Sequence, residues 1–218
     1  MRLHILFTKN DEIVPFNYQQ LLIKTFHRWL GHNEIHDTIS LYSLSWLKGA
    51  EKDNGGLNFP NGAKWFINFW ENDYFTDLLK GIQEHPLSFM GMQVREVQFM
   101  EDPTFGSREK FFPASPIFIR KYDENGRAIH LNYFDADADR YLTETLSKKL
   151  AKASLNYKAT VSFDKNNPTS KTKVININGV NSKANFCPVI IEGDKEALKF
   201  AWNVGIGHST GCCFGSIY

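Results

Sequence analysis

The order in which strand patterns and helix patterns follow one another constrains the fold of this chain most strongly. Strands are marked by short apolar runs or by alternation, and helices by apolar residues at every third or fourth position. In the first half the order is strand, helix, strand, strand, helix, strand, over residues 3–7, 18–30, 38–47, 64–71, 73–84 and 87–99. This β-α-β-β-α-β order is typical of a ferredoxin-like domain.

The second half shows a similar order, although its sequence does not repeat that of the first half. Strands are predicted at 116–122, 129–134, 159–163, 173–179 and 187–193, and helices at 137–155 and 194–202. The chain has 218 residues, which suits two domains of about 100 residues each. We therefore predict an α+β protein with two tandem ferredoxin-like (RRM-like, βαββαβ) domains, 1–107 and 108–218, joined near 101–116.

Local signals place the ends of the first helix and one weak point in the second. Asn17 is a candidate N-cap, and Gly31 is a suitable residue after the last turn. Leu22, Phe26, Trp29 and Leu30 form one apolar stripe between them. Gly81 interrupts the second helix pattern, where glycine lowers helix propensity. Residues 50–62 are predicted to be a turn or the tip of a long hairpin.

Composition and charge indicate a globular chain with a basic second half. Hydrophobic residues make up 42% and charged residues 22%, which excludes disorder as the main state. The formal net charge is only +1, yet residues 140–191 hold nine Lys and Arg against Glu144 and Asp164. A basic stretch within a neutral chain predicts phosphate binding, and the alternative is a solvated lysine-rich face.

The cysteines and the apolar runs indicate the compartment. The chain has an odd number of cysteines, namely Cys187, Cys212 and Cys213. The adjacent pair is poorly placed to form a disulfide bridge or to bind a metal together. This usage fits the reducing cytoplasm. The first residues contain an apolar run too short for a signal peptide, and no run approaches the roughly 20 residues of a membrane span. We expect a soluble cytoplasmic protein with no membrane partner.

A glycine-rich tail is the sharpest local motif. Gly205, Gly207, Gly211 and Gly215 fall within eleven residues, so the backbone there can approach a phosphate closely. A P-loop is disfavoured because the tail has no lysine, and a Rossmann fingerprint because the tail follows the last helix. A turn used only for folding is the alternative interpretation.

Three histidines cluster near the end of the first helix, at His27, His32 and His36. Two imidazoles that titrate near neutral pH suit paired acid–base chemistry. A zinc site is the second interpretation, although no nearby cysteine or carboxylate cluster completes four ligands. The third interpretation is a set of surface and loop histidines.

These motifs together resemble one family, the CRISPR repeat-processing endoribonucleases of the Cas-six family. The tail GIGHSTGCCFG is similar to that family's C-terminal glycine-rich loop. The segment PFNYQQLLIKTFHRWL resembles its first helix, and FFPASPIFIR its "SPI" stretch, so the likeness extends over essentially the whole chain. Two departures concern the tail: Cys213 stands where the family has the first glycine of its final G-Phe-G, and the tail carries no lysine or arginine.

The resemblance implies an endoribonuclease that cuts CRISPR repeat transcripts into guide RNAs without a metal or another cofactor. It implies His36 and His27 as the acid–base pair, with the assignment of base and acid left open. A catalytic lysine is not placed by the match, and Lys24 and Lys48 are the candidates. The expected partners are CRISPR repeat RNA and other CRISPR-associated proteins, and the chain is expected to act as a monomer or a homodimer.

The predicted RNA contacts come from the tail and from the basic stretch. They are Gly205, Gly207, His208, Ser209, Thr210, Gly211, Phe214, Gly215, Lys148, Lys149, Lys152, Lys158, Lys165, Lys171 and Lys173. Lysine contacts to phosphate would give salt-dependent affinity and little sequence information. Two rival functions stay open at this point: a non-catalytic RNA-binding scaffold of the same fold, and a metal-dependent nuclease, for which no paired carboxylates can be assigned.

Overall fold

A computed structural model describes residues 1–31, 39–71 and 73–218 of the chain. Its first unit is a four-stranded antiparallel sheet with two helices. The elements are β1 (Arg2–Phe7), α1 (Gln19–Leu30), β3 (Tyr42–Leu44), β6 (Lys64–Phe69), α2 (Asp73–Glu84) and β7 (Val94–Met100). The sheet order is β3-β6-β1-β7, so the first strand lies between the third and fourth of the β-α-β-β-α-β series. This is the ferredoxin-like order that the sequence predicts.

The second unit repeats this topology with a shorter sheet. Its elements are β8 (Arg108–Phe111), α3 (Ala138–Lys152), β11 (Ala159–Phe163), β14 (Val189–Gly193) and α4 (Lys195–Val204). The strand order is β11-β14-β8, and residues 216–218 extend it because Phe112 and Tyr218 exchange backbone hydrogen bonds of 2.9 Å. The chain therefore consists of two ferredoxin-like folds in tandem. The division into domains at residues 107 and 108 stays a prediction.

Three smaller structures decorate the two units. The first unit carries a three-stranded sheet of β2 (Val14–Pro15), β4 (Glu51–Asp53) and β5 (Gly56–Asn58). The second unit carries two hairpins, formed by β9 (Arg120–Tyr122) with β10 (Ala128–His130) and by β12 (Lys171–Ile177) with β13 (Val180–Phe186). No helix within the described residues is long and apolar enough to span a membrane.

The interface between the units is held by a buried polar network around Arg2. The guanidinium carbon of Arg2 lies 4.0 Å from the ring centroid of Phe66 and 3.6 Å from that of Trp202. Arg2 Nε donates to Asn68 Oδ1, and Arg2 Nη2 donates to the carbonyl of Ile217, both at 2.7 Å. Because Trp202 and Ile217 belong to the second unit, this one side chain joins the two folds.

Several sequence predictions need correction. The helix 18–30 begins one residue later, and its N-cap is Tyr18 without a side-chain cap, so the prediction of Asn17 was wrong. The strand predicted at 38–47 is shorter and spans only Tyr42–Leu44. Because residues 42–45 are all buried, the alternation of apolar and polar residues does not mark an exposed face of the strand. Residues 50–62, predicted as a turn or the tip of a long hairpin, contain the hairpin of β4 and β5. Strands β8 and β13 were missed.

Glycine is required at position 81, where the sequence suggested a weak point in the second helix. It lies on the buried face of α2, and an added Cβ would overlap the Trp29 carbonyl of α1. We expect Gly81→Ala to lower the free energy of unfolding by about 3 kcal/mol, because neither helix backbone can yield without repacking. Urea unfolding measures this loss. Gly106→Ala is the control, since its Cβ would lie 3.1 Å from the flexible Glu109 carboxylate and no closer than 3.9 Å to the backbone of Arg108. Equal losses in both variants would contradict the close approach of the helices.

Candidate functional site

The glycine-rich tail, residues 205–216, packs back on itself between the two units. Gly205, at the C-terminal end of α4, has a φ of +72°, and the N–H of Ile206 donates to the carbonyl of Gly215 at 2.8 Å. An added Cβ on Gly205 would lie 2.6 Å from that same carbonyl oxygen, and one on Gly215 would overlap the carbonyl of Ile206. These two glycines are therefore needed for the tail to close.

The tail is also fixed to its surroundings on both sides. The N–H of His208 donates to the carbonyl of Phe118 in the second unit at 2.8 Å. Thr210 Oγ1 donates to the carbonyl of Tyr42 in the first unit at 2.8 Å, and Trp46 Nε1 donates to the carbonyl of Cys213 at 2.9 Å. The tail thus lies at the junction of the units, held by each.

Lys149, on α3, anchors the tail. Its ammonium is buried and donates to the carbonyls of Val204 and Gly205 and to Thr210 Oγ1, at 2.9, 3.2 and 3.0 Å. The three ammonium protons are thereby matched by three acceptors. Burial lowers the pKa of Lys149 to about 7, while the two carbonyls at the C-terminal end of α4 favour the charged form.

A cavity of about 470 Å³ opens beside this anchored tail. We call it the tail cavity; its described lining residues are Ile39, Ser40, Arg120, Thr145, Lys148, Lys149, Gly207, His208, Ser209, Thr210 and Cys212. Three of them are basic and none is acidic. Arg120 Nε is buried and, among the described residues, has no hydrogen-bond partner. A cavity lined by basic residues, an arginine among them, is suited to an anion such as phosphate.

His208 is held neutral inside this cavity. Burial is the main cause that lowers its pKa to about 4, and the charges of Arg120, Lys149 and Lys148 add to the effect. The imidazole is therefore uncharged at neutral pH and adds no positive charge to the cavity. Within the described parts of the chain, no cluster of three or more His, Cys, Asp or Glu residues forms a metal-binding group.

The predicted catalytic residues are not all described. His36 lies in residues 32–38, outside the described residues, as does His32. Ile39 and Ser40, which follow this segment directly, line the tail cavity. His27 is half-buried on α1, Lys24 is exposed on the same helix, and Lys48 is exposed with its ammonium 3.8 Å from the ring centroid of Tyr218. None of these three is among the cavity's described lining residues.

The predicted RNA-contacting lysines separate into different places. Lys148 lines the tail cavity from α3, and Lys149 is buried beneath it. Lys165 lies 2.9 Å from Asp139 in an ion pair, and Lys173 lines a second cleft near β12. Lys152, Lys158 and Lys171 are exposed and line neither the tail cavity nor that second cleft. Of the tail residues predicted to contact RNA, Gly207, His208, Ser209 and Thr210 line the cavity, whereas Phe214 is buried in a small apolar cluster.

Sequence reasoning missed Arg120. It directly follows three consecutive buried residues, 117–119, and nothing in that pattern marks it as functional. The antiparallel bridge between Phe118 and His208 brings this segment beside the tail, and this long-range pairing places Arg120 at the tail cavity.

The buried ammonium predicts a pH-dependent stability. Because the pKa of Lys149 is about 7 in the folded chain and 10.5 for a lysine side chain in water, the unfolded chain binds more protons between these values. Stability from this group therefore rises with pH across that window, by at most about 1.4 kcal/mol per pH unit. We expect the wild-type free energy of unfolding to gain relative to that of Lys149→Met as the pH rises from 7 to about 9.

Lys148→Met is the matched control, since Lys148 is exposed one position earlier on α3. Urea titrations at several pH values give the comparison. Parallel pH profiles for wild type and Lys149→Met would contradict the account of a desolvated ammonium.

The chain is thus a protein of two tandem ferredoxin-like folds, with a glycine-rich tail at their junction and a basic cavity beside it that is suited to an anion. The family model described as CRISPR associated protein Cas6, C-terminal, matches residues 100–218. The chain therefore belongs to the Cas6 family of CRISPR-associated proteins. No curated protein matches this chain.

Solved structures show the same fold. A Cas6-related protein from Pyrococcus furiosus is 17% identical, with a TM-score of 0.87 over 100% of this chain and 97% of its own. A RAMP protein that binds different RNA substrates is 17% identical, with a TM-score of 0.84 over 100% and 98%. A Cas6 product complex is 13% identical, with a TM-score of 0.70 over 99% and 98%. At these identities the likeness establishes the fold.

Proposed function

We propose that this chain is a metal-independent endoribonuclease that cuts CRISPR repeat transcripts into guide RNAs in the cytoplasm. Membership of the Cas6 family supports CRISPR RNA processing, and similar folds include a protein that binds RNA substrates and a product complex. The observation that carries the proposal is the tail cavity. It is lined by Arg120 and Lys148 and opens beside Ile39 and Ser40, next in sequence to the segment that contains His36.

The proposed reaction is an attack by the 2′-OH of the nucleotide before the cut. A general base removes the proton from this hydroxyl, and the oxygen attacks the adjacent phosphorus in line with the leaving group. The bond from phosphorus to the 5′-oxygen breaks, and a general acid protonates that oxygen. The products are a 2′,3′-cyclic phosphate and a 5′-OH end. No metal, oxidant or further reactant is required.

His36 and His27 are the proposed acid–base pair. An imidazole of ordinary pKa, about 6.5, exists in both forms near neutral pH, so one histidine can be neutral and the other charged. Which of the two removes the proton and which donates it is left open by the proposal. His208 is unsuited to either role, because its lowered pKa of about 4 makes it a weak base and keeps it uncharged at neutral pH.

Arg120 and Lys148 are the groups we propose for holding the cleaved phosphate. Both line the tail cavity, and fixed cations stabilise the additional negative charge of the phosphorane. They take the role for which the sequence offered only Lys24 and Lys48. Ser209 provides a neutral hydrogen-bonding group at the same wall. The Thr210 hydroxyl is already engaged by Lys149 and by the Tyr42 carbonyl.

The test is incubation of CRISPR repeat RNA with the chain in the presence of EDTA. Cutting at one position supports the proposal. Binding without cutting would indicate a scaffold that holds RNA, and loss of cutting on addition of EDTA would indicate a metal-dependent nuclease.

A further inference from the structure

Lys149 carries a positive charge at a place where the described fold provides no negative partner. Its side chain is only 4% exposed, on the face of α3 that meets the tail. The ammonium donates to the carbonyls of Val204 and Gly205 and to Thr210 Oγ1, and no carboxylate among the described residues forms an ion pair with it. Burying a charge without a counter-ion costs free energy, so a ligand that brings a negative charge would stabilise this ammonium.

The protonation state of Lys149 decides how completely the tail is held. An ammonium has three protons and serves all three acceptors, whereas a neutral amine has only two protons and leaves one acceptor without a donor. Thr210 Oγ1 in turn donates to the carbonyl of Tyr42 in the first unit at 2.8 Å. Loss of the proton therefore weakens a chain of contacts that runs from α3 through the tail to β3.

The walls of the tail cavity disfavour the charged form of Lys149 until an anion is present. Arg120 and Lys148 are cations on these walls, and none of the described lining residues is acidic. A neighbouring like charge disfavours the charged form of a group, and a neighbouring opposite charge favours it. By thermodynamic linkage, an anion that favours the charged amine binds more tightly to the protonated chain and draws a proton onto the unprotonated one.

The neutral titratable side chains around Lys149 change charge in other pH ranges. Burial lowers the pKa of His208 to about 4, and it raises the pKa values of Cys212 and Tyr42. The end of α4 presents backbone carbonyls to the ammonium, and β11, which packs against α3, has no titratable residue. Because burial lowers the pKa of Lys149 to about 7, its amine can gain or lose a proton close to neutral pH.

We propose that Lys149 is a positioning residue that couples RNA binding to proton uptake: an RNA phosphate that enters the tail cavity draws a proton from solvent onto the buried amine, and the resulting ammonium fixes the tail beside the phosphate. The inference rests on the proposed function, because the RNA supplies the phosphate. Lys149 does not itself donate to the RNA, since the tail and the end of α4 engage its three protons. RNA affinity therefore falls as the pH rises above about 7, where the free chain has lost this proton before binding.

The experiment counts the protons that are taken up when RNA binds. The probe is CRISPR repeat RNA with a 2′-deoxynucleotide before the mapped cut. Isothermal titration calorimetry at pH 8, in two buffers of different ionisation enthalpy, gives the number of protons taken up per RNA. We expect wild type to take up between about one half and one proton more than Lys149→Met.

The dependence of Kd on pH separates this coupling from a purely structural anchor. The Kd of wild type should rise roughly tenfold between pH 7 and pH 8.5, and that of Lys149→Met should change little. The two Kd values should therefore converge at the higher pH, whereas a structural anchor alone would separate them by the same factor throughout. Lys148→Met is the control, because it removes an exposed charge from the same cavity; it should weaken binding and leave proton uptake about the same.

A measurement on wild type alone covers the case in which Lys149→Met does not fold. In ¹³Cε spectra of the lysines, one lysine should titrate near pH 7 in the free chain and at a higher pH in the RNA complex. Equal proton uptake by wild type and Lys149→Met, or a wild-type chain in which no lysine titrates near pH 7, would refute the coupling. Cleavage of repeat RNA by that wild type would leave the proposed function intact. If wild type neither binds nor cleaves repeat RNA, both proposals fail.

Discussion

The variant His36→Ala is expected to cleave repeat RNA about a hundredfold more slowly than the wild type in single turnover, with little change in RNA affinity. The expectation follows from the chemistry: removal of a general acid or base raises the barrier of the bond-breaking step and leaves the phosphate contacts in place. Single-turnover rates at saturating RNA, together with Kd values at fixed salt, separate the two effects.

His85→Ala is the matched control, because His85 is exposed just after the end of α2 and lines neither cavity. His27→Ala is expected to show a smaller loss, since water can replace part of one proton transfer. Equal rates for His36→Ala and wild type would remove His36 from the mechanism. A silent His27→Ala beside an impaired His32→Ala would show that the wrong second histidine was chosen.

The double variant Arg120→Gln/Lys148→Gln is expected to bind repeat RNA about a hundredfold more weakly, because each charged contact to phosphate contributes roughly tenfold. The slope of log Kd against log salt should also fall by about two, one for each phosphate-binding charge that is removed. Cleavage at saturating RNA should fall as well, because the cations in the tail cavity stabilise the phosphorane.

The control for this prediction is Lys80→Gln/Arg95→Gln. It removes the same two charges from exposed positions on α2 and β7, outside both cavities. Its salt slope should match that of wild type. An unchanged slope for Arg120→Gln/Lys148→Gln would mean that the tail cavity receives no phosphate.

The order of strands and helices along the first unit could be predicted because the local sequence patterns agree with the ferredoxin-like order. The apolar stripe of α1 is a local signal, and Leu22, Phe26 and Trp29 are all buried as it requires. Strand β8 is short and mostly polar, and β13 has exposed polar residues on much of its length, so neither has the apolar pattern that marks a strand. These two segments become strands because β8 pairs with β14 and β13 pairs with β12.

The site was partly predictable for a similar reason. Glycines mark the tail, because positive φ angles and close approach restrict the residue type at Gly205 and Gly215. Lys148 and Lys149 are neighbours in the sequence, yet the Lys149 ammonium is buried against three acceptors and Lys148 is exposed at the cavity wall. That difference depends on which face of α3 packs against α4. This is a long-range contact, and the number of lysines in the segment gives no information about it.

The most direct test of the central claim is chemical. After the cut in CRISPR repeat RNA has been mapped, the 2′-OH of the nucleotide before the cut is replaced by hydrogen, and cleavage is followed with EDTA present. We predict that the wild-type RNA yields a 2′,3′-cyclic phosphate and a 5′-OH end, identified by mass spectrometry, and that the 2′-deoxy RNA binds with similar affinity and is not cut. Cleavage of the 2′-deoxy RNA at the same position would contradict attack by the 2′-OH and with it the mechanism proposed for this chain.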